Sequence, residues 1–285
     1  MQYGTMIASV VIGISAAALT LSQRDIAREN HPADTALRHD LPSEVISEML
    51  RIAQVGPNDH LVDLGSGDRQ IVLTAAQQFG ATASGFNLSA ERGPGIIGRA
   101  SFIDTDLSST DLGKATILTI SLLPSISPAL RARLLNELKP GTRIVSHDAD
   151  MGDWKPDQHA TVDAGRLHHV YYWVVPAKVD GAWTIDTPAG DVPVQLMLRQ
   201  TYQLFTGTAR VGETTVPLGE TRLLGNRVLF SLISRGDRGQ ETTLRFDSRV
   251  DGKNMEGSVT VDAVGDQSIS WRAANSSRSQ WLPEN

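Results

Sequence analysis

The heptapeptide VDLGSGD at Val62–Asp68 decides the fold class of this 285-residue chain. It overlaps the apolar segment HLVDL at His60–Leu64 and precedes a segment, Ile71–Phe79, whose apolar residues recur at helical spacing. Gly65 and Gly67 allow the backbone to turn sharply and to approach a ligand closely, and the helix that follows presents unpaired N–H groups. A strand, a glycine loop and a helix in this order predict an α/β domain that binds a nucleotide-like ligand.

The segments on both sides of this loop alternate between helix and strand patterns. A helix is expected to follow Pro42, with Ser43 as its N-cap. Beyond residue 79 the expected elements are three strands, a helix and a further strand, at Ala81–Asn87, Ser101–Ile103, Ala115–Leu122, Pro128–Leu138 and Arg143–His147. This alternation predicts a Rossmann-like sheet of parallel strands with helices on both faces, and we expect that domain to occupy residues 41–178.

The pattern changes after about residue 165, where helical periodicity ends. His168–Val175 and Ala182–Ile185 are expected to pair as a hairpin, because Asp180-Gly181 between them is a turn signal. From Val194 onward, short alternating segments are separated by turns rich in Gly, Asn and Asp. These segments predict a small antiparallel β-rich domain, a barrel or a sandwich, over residues 179–285.

The first 23 residues carry no charged side chain, and Met6–Leu21 is almost wholly apolar. This composition predicts a signal peptide or a membrane anchor at residues 1–23, followed by a polar linker at 24–40. Arg24 and Arg28 follow the apolar stretch, which favours an uncleaved anchor with the body of the protein in the cytoplasm. Cleavage would instead make the protein periplasmic or secreted.

The composition also excludes several classes of function. A formal net charge of −6 argues against a nucleic-acid-binding protein, which needs a basic surface to displace counterions. The absence of cysteine excludes disulfides, thiolate metal sites and cysteine nucleophiles. Ser66 lacks the G-x-S-x-G spacing of a hydrolase nucleophile.

A polar cluster follows the expected strand at 143–147, formed by His147, Asp148, Asp150 and Asp153. Such residues can form turns, act near a substrate, or bind a divalent ion. Turn formation is the favoured interpretation, and no metal site is predicted. His168 and His169 alternate within a strand, so that one faces inward, and we expect a structural role for them.

The chain resembles the class I methyltransferases that use S-adenosylmethionine in two segments. These are LVDLGSGDRQIVLTAA (Leu61–Ala76) and the block from Leu122 to Trp154. The similarity is to a bacterial group related to the mitochondrial protein-lysine methyltransferases, whose motif reads roughly DLGSGDGR, and it covers about residues 41–178. The resemblance implies a Rossmann-like fold, S-adenosylmethionine as cofactor, a membrane-associated N-terminus and protein lysine as the substrate class.

The resemblance also assigns roles to individual residues. The expected cofactor-binding residues are Asp63, Gly65, Ser66 and Gly67 for the methionine part, Asn87 for the ribose and Asp106 for the adenine. The expected catalytic residues are Leu123 and Pro124, facing the methyl group, and Asp148, which we expect to help orient the lysine.

Three features depart from the family pattern. Arg69 occupies the position of the third glycine, Asn87 replaces a ribose-binding carboxylate, and the segment 88–101 is too short for a full helix. The predicted function is S-adenosylmethionine-dependent methylation of lysine in a membrane-proximal protein. The alternative is a catalytically inactive methyltransferase fold that acts as a binding or scaffold module through its β domain.

Overall fold

The chain folds around two β-sheets that follow one another in sequence. A computed structural model describes residues 41–65, 67, 69–86, 94–103, 110–121, 125–186, 194–235, 239–262 and 265–275. Within it, Leu41–Asn285 forms one compact unit.

The first sheet has eight strands in the order β3-β4-β2-β1-β5-β6-β8-β7. Their bounds are β1 His60–Leu64, β2 Thr82–Phe86, β3 Gly95–Ile97, β4 Ala100–Ile103, β5 Ile117–Ile120, β6 Arg143–His147, β7 Gln158–Asp163 and β8 Leu167–Val174. Strands β4, β2, β1, β5 and β6 are parallel, whereas β3, β8 and β7 pair antiparallel to their neighbours. The central strands are buried on both faces, as parallel strands covered by helices must be.

Three helices of the part of the chain that the structure describes cover this sheet, at α1 Ser43–Ile52, α2 Gln70–Gln78 and α3 Pro128–Glu137. The apolar faces of α1 and α2 pack on one face of the sheet, whereas α3 packs on the other, where Leu134 contributes to a second core with Leu118. Helix α1 begins at Ser43 with Pro42 as its N-cap, so that Ser43 is not the cap we expected. The predicted α/β class with helices on both faces is confirmed.

Two predictions for this sheet were wrong in detail. The exposed three-residue strand β3 was missed, because it has no alternating apolar pattern. Strand β8 does not pair with the segment at Ala182–Ile185; its partners are β6 and the strand β7 before it. The turn of this hairpin lies at Gly165, which has a φ of 83°, and β7 is polar because it is an edge strand.

The second sheet has nine antiparallel strands in the order β12-β11-β10-β9-β17-β16-β15-β14-β13. Their bounds are β9 Gly181–Asp186, β10 Val194–Thr201, β11 Leu204–Val211, β12 Thr214–Pro217, β13 Gly219–Leu224, β14 Arg227–Arg235, β15 Glu241–Asp251, β16 Asn254–Val261 and β17 Gly265–Asn275. The sheet curls until its ends meet: the backbone N–H of Leu218 donates to Gly207 O over 3.0 Å, and Thr221 Oγ1 donates to Phe205 O over 2.8 Å. This near-closure makes the predicted antiparallel domain a barrel rather than a sandwich.

The barrel contacts the first sheet directly. The rings of Trp154 and Tyr202 stack with their centroids 5.9 Å apart and their planes at 10°. The backbone N–H of Ala177 donates to Gly225 O over 2.8 Å, and a Cβ at Gly225 would lie 3.0 Å from Gly141 Cα. The first sheet ends at residue 174 and the barrel begins at 181; the domain boundary at 178 and 179 stays a prediction.

The expectation of a membrane-associated location needs correction. No helix among the residues that the structure describes has both the length and the apolar character needed to cross a membrane. The apolar segment 1–23, on which the expectation was based, and the linker 24–40 lie outside the described residues.

Candidate active site

The order of the strands places a switch point of the sheet at the carboxyl ends of β1 and β5, and we call this position the crevice. The chain runs from β1 outward to β2 and β4 on one side, whereas β5 and β6 lie on the other side of β1. The connection that follows β1 therefore leads to one side of the sheet, and the connection that follows β5 leads to the other side. In open α/β sheets, ligands bind at such a switch point, outside the carboxyl ends of the strands.

The glycine loop after β1 lies at this crevice. Gly65 has a φ of 101°, a backbone conformation that favours glycine, and its N–H donates to Phe86 O at the end of β2 over 3.3 Å. The N–H of Gly67 donates to Gly65 O over 2.8 Å, which closes a tight turn. Gly65 and Gly67 themselves bring no side chain to this turn.

Asp63 is the buried carboxylate of this crevice, with 1% of its surface exposed. Thr119 Oγ1, on the neighbouring strand β5, donates a 2.6 Å hydrogen bond to Asp63 Oδ1. A buried carboxylate needs such donors, because it has left water. The sheet itself therefore fixes the carboxylate at the point where β1 meets the glycine turn.

Arg69 occupies a position whose backbone suits the glycine of the family motif. Its φ is 67°, in the left-handed region, immediately before α2. Its guanidinium lies 4.4 Å from the ring centroid of Phe102, a buried residue of β4 that faces α1 and α2. The side chain is thus held against this core by a cation–π contact.

The structure describes four of the nine predicted site residues. Asp63, Gly65 and Gly67 lie together at the end of β1, whereas Asp148 follows β6, two strands away. The remaining five lie outside the described residues and stay predictions: Ser66, Asn87, Asp106, Leu123 and Pro124.

The polar cluster after β6 contains two of the residues that the sequence suggested, His147 and Asp148, together with a third residue from another strand. His147 Nε2 lies 3.1 Å from Asp148 Oδ2 and 2.8 Å from Nδ1 of His168, which comes from β8. Asp150 forms a turn, with its Oδ1 accepting from Gly152 N over 2.9 Å, as the favoured interpretation expected. His168 was not predicted to join the cluster.

Both oxygens of Asp148 accept hydrogen bonds from the protein. Oδ1 accepts from His169 N and Oδ2 accepts from Arg166 Nη2, each over 2.7 Å. Burial acts to raise the pKa of this carboxyl, but the bonds from His169 and Arg166 outweigh it and the pKa is lowered. Asp148 is therefore a weak proton acceptor with a fixed orientation.

Burial lowers the pKa of His147, and the nearby Asp148 carboxylate offsets this only in part. Its imidazole is 8% exposed and that of His168 is 5% exposed. Burial therefore favours the neutral form of the His147 ring, in which one nitrogen keeps its lone pair.

Comparison with known proteins identifies the domain that carries this site. A family model for the ANTKMT methyltransferase domain matches residues 63–158. A protein-lysine N-methyltransferase of Saccharolobus islandicus is 36% identical over 144 residues, which are 47% of this chain and 89% of that protein. The chain belongs to the ANTKMT methyltransferase family. The prediction of a class I methyltransferase similar to protein-lysine methyltransferases is confirmed.

Other relatives of this ANTKMT-family chain share a smaller part of their length. A lysine N-methyltransferase of Mus musculus, named for a subunit of ATP synthase, is 34% identical over 128 residues; the match covers 41% of this chain and 49% of that relative. Among solved structures, an RNA methyltransferase from Salinibacter ruber in complex with S-adenosyl-L-homocysteine is 37% identical, with a TM-score of 0.43. That match covers 49% of this chain and 95% of the Salinibacter chain.

Proposed function

We propose that this chain is a protein-lysine N-methyltransferase that uses S-adenosylmethionine. The observation that carries the proposal is its 36% identity with a lysine N-methyltransferase over 89% of that protein's length. The crevice at the ends of β1 and β5 supports it independently, because a glycine turn and a buried carboxylate meet there.

The residues at the end of β1 fit this cofactor. The carboxylate of Asp63 suits a cationic amino group, and the turn at Gly65 and Gly67 leaves room for close approach of a ligand to the backbone. We assign the methionine part to these residues and to Ser66, the ribose to Asn87 and the adenine to Asp106.

The chain's own contribution to methyl transfer is mainly positional. S-adenosylmethionine supplies a methyl group bonded to a positively charged sulfur, which an amine can attack in line. The protein must hold a neutral lysine amine in that line and exclude water. We propose that Leu123 and Pro124 lie beside the line along which the amine attacks the methyl group. Asp148, whose pKa is lowered, is suited to orient the lysine rather than to remove its proton.

The acceptor is proposed to be a protein. The relatives from Saccharolobus and mouse are named for lysine methylation, and a formal net charge of −6 is unfavourable for nucleic-acid binding. A membrane-proximal location of the methylated protein stays a prediction. The inactive scaffold is the alternative that the experiment below distinguishes.

The first part of the test is calorimetric titration of the full chain with S-adenosylmethionine and S-adenosylhomocysteine. We expect micromolar binding, weakened at least tenfold in Asp63→Asn and unchanged in Asp163→Asn, which alters an exposed carboxylate of β7. A folded chain that binds neither compound at millimolar concentration would support the scaffold alternative.

The second part follows a tritiated methyl group into extract proteins and into extract RNA. Label recovered as methyl-lysine supports the proposal, and label confined to RNA contradicts the acceptor class. Cofactor binding without any transfer to either pool contradicts the proposed activity.

A further inference from the structure

Three atoms that can each bind a metal ion once they carry no proton converge in the cluster after β6. They are His147 Nε2, His168 Nδ1 and Asp148 Oδ2, and they all lie within 4.8 Å of one another. The two imidazole nitrogens are 2.8 Å apart, and His147 Nε2 is 3.1 Å from the carboxylate oxygen. The proposed methyl transfer uses Asp148 to orient the lysine but assigns no role to His147 or His168.

The fold holds these atoms in place from two strands. His147 ends β6 and His168 lies in β8, and both imidazoles are more than nine-tenths buried. Asp148 has a φ of 55°, an unusual conformation for a non-glycine residue, and two hydrogen bonds with the backbone of His169 maintain it. One of those bonds occupies Oδ1, so that the other oxygen faces His147.

Two imidazoles and one carboxylate are ligands typical of zinc and related ions. Zinc binds nitrogen and carboxylate oxygen at about 2.0–2.2 Å in tetrahedral geometry, so neighbouring ligand atoms lie roughly 3.3–3.5 Å apart. The observed separations of 2.8 and 3.1 Å need to widen by roughly 0.2–0.7 Å to reach these values, and the third pair of ligand atoms lies within 4.8 Å. Nitrogen ligands favour a transition metal over Mg²⁺ or Ca²⁺.

Arg166 contacts the carboxylate of Asp148 but leaves it able to bind a cation. Its guanidinium donates to Asp148 Oδ2 over 2.7 Å, but a carboxylate oxygen has a second lone pair for a cation. The Arg166 side chain is 57% exposed and lies outside the buried cluster. Its positive charge beside a ligand atom must lower the affinity for a metal ion.

We propose that His147, Asp148 and His168 form a binding site for one divalent transition-metal ion, with Zn²⁺ as the ion that best suits these ligands. Sequence patterns alone did not indicate this site, because His168 lies 20 residues after Asp148 in the chain. A bound ion would fasten the segment after β6 to the β7–β8 hairpin.

The test is metal binding by the full chain after treatment with a chelator, measured without methyl donor or acceptor. We expect one Zn²⁺ per chain by calorimetry, and visible absorption bands when Co²⁺ is used instead. His168→Gln should weaken binding at least tenfold. His159→Gln is the matched control, because His159 and His169 form a second imidazole pair, 3.2 Å apart, on the exposed side of the hairpin.

Arg166→Gln provides a test that leaves the buried cluster intact. Removal of the charge should raise the affinity for Zn²⁺, and circular dichroism should show an unchanged fold. The proposal is overturned if the wild type binds no Zn²⁺ at millimolar concentration, or if His159→Gln abolishes binding. An Arg166→Gln variant with unchanged or lower affinity also overturns it, even where His168→Gln fails to fold.

Discussion

The buried hydrogen bond between Thr119 and Asp63 allows a quantitative test of how the sheet holds the candidate cofactor site. Thr119 is fully buried, and its hydroxyl donates over 2.6 Å to a carboxylate that is itself 1% exposed. Thr119→Val preserves the shape of the side chain but removes the donor, and water cannot replace it. A hydrogen bond to a charged group contributes about 1.5–3 kcal/mol. We therefore expect the free energy of unfolding to fall by about that amount.

Urea unfolding followed by tryptophan fluorescence measures this loss. Thr119→Ser is the matched control: it keeps the hydroxyl and loses one buried methyl group, which costs about 1 kcal/mol. The two variants should separate clearly in affinity for S-adenosylmethionine, because only Thr119→Val removes a support of Asp63. If Thr119→Val unfolds at the same urea concentration as the wild type and binds the cofactor equally well, the reasoning about Asp63 is refuted.

Three further predictions concern other parts of the chain. Asn87→Asp should tighten cofactor binding by up to about tenfold in calorimetry, because a carboxylate forms stronger bonds to ribose hydroxyls than an amide; unchanged affinity would contradict the ribose assignment. Gly225→Ala should lower the unfolding free energy more than Gly252→Ala, since both have a φ near 58° but only Gly225 faces a neighbour, Gly141. Equal losses would exclude the steric explanation. Burial lowers the pKa of His60, so the folded state disfavours its protonation. Stability should therefore fall as the pH drops from about 7 through the unfolded pKa near 6.5, and His60→Gln should show a smaller fall in urea titrations at several pH values.

The alternation of strands and helices was predictable because each element of the first sheet has one dominant environment. Strands such as β1 and β5 are buried on both faces, and their sequences are therefore short apolar segments. The polar edge strand β7 has no such pattern, and its partner β8 was therefore assigned to the wrong neighbour. Asp180-Gly181 has the composition of a turn, but the composition of a turn does not determine which sheet the neighbouring strand joins.

One part of the candidate site could also be predicted from the sequence, whereas the other part could not. The glycine turn is local in sequence, so Gly65 could be predicted together with the strand that ends there. The cluster after β6 depends on the register of β6 with β8, which pairs His147 with Val170 and leaves His168 beyond the last pair. That register is set by the packing of Trp173 and Val170 in two cores and is not encoded by spacing.

The stack of Trp154 on Tyr202 has a consequence for substrate choice. Trp154 ends the segment that begins at Asp148, and Tyr202 lies in the turn between β10 and β11 of the barrel. The same segment is also anchored to β8, since Trp173 Nε1 donates to Trp154 O over 2.9 Å. The segment after β6 is thus held by the barrel on one side and by β8 on the other, which opposes its movement as a lid. If this segment contacts the acceptor, selectivity among lysines is expected to depend on how the acceptor presents its own chain.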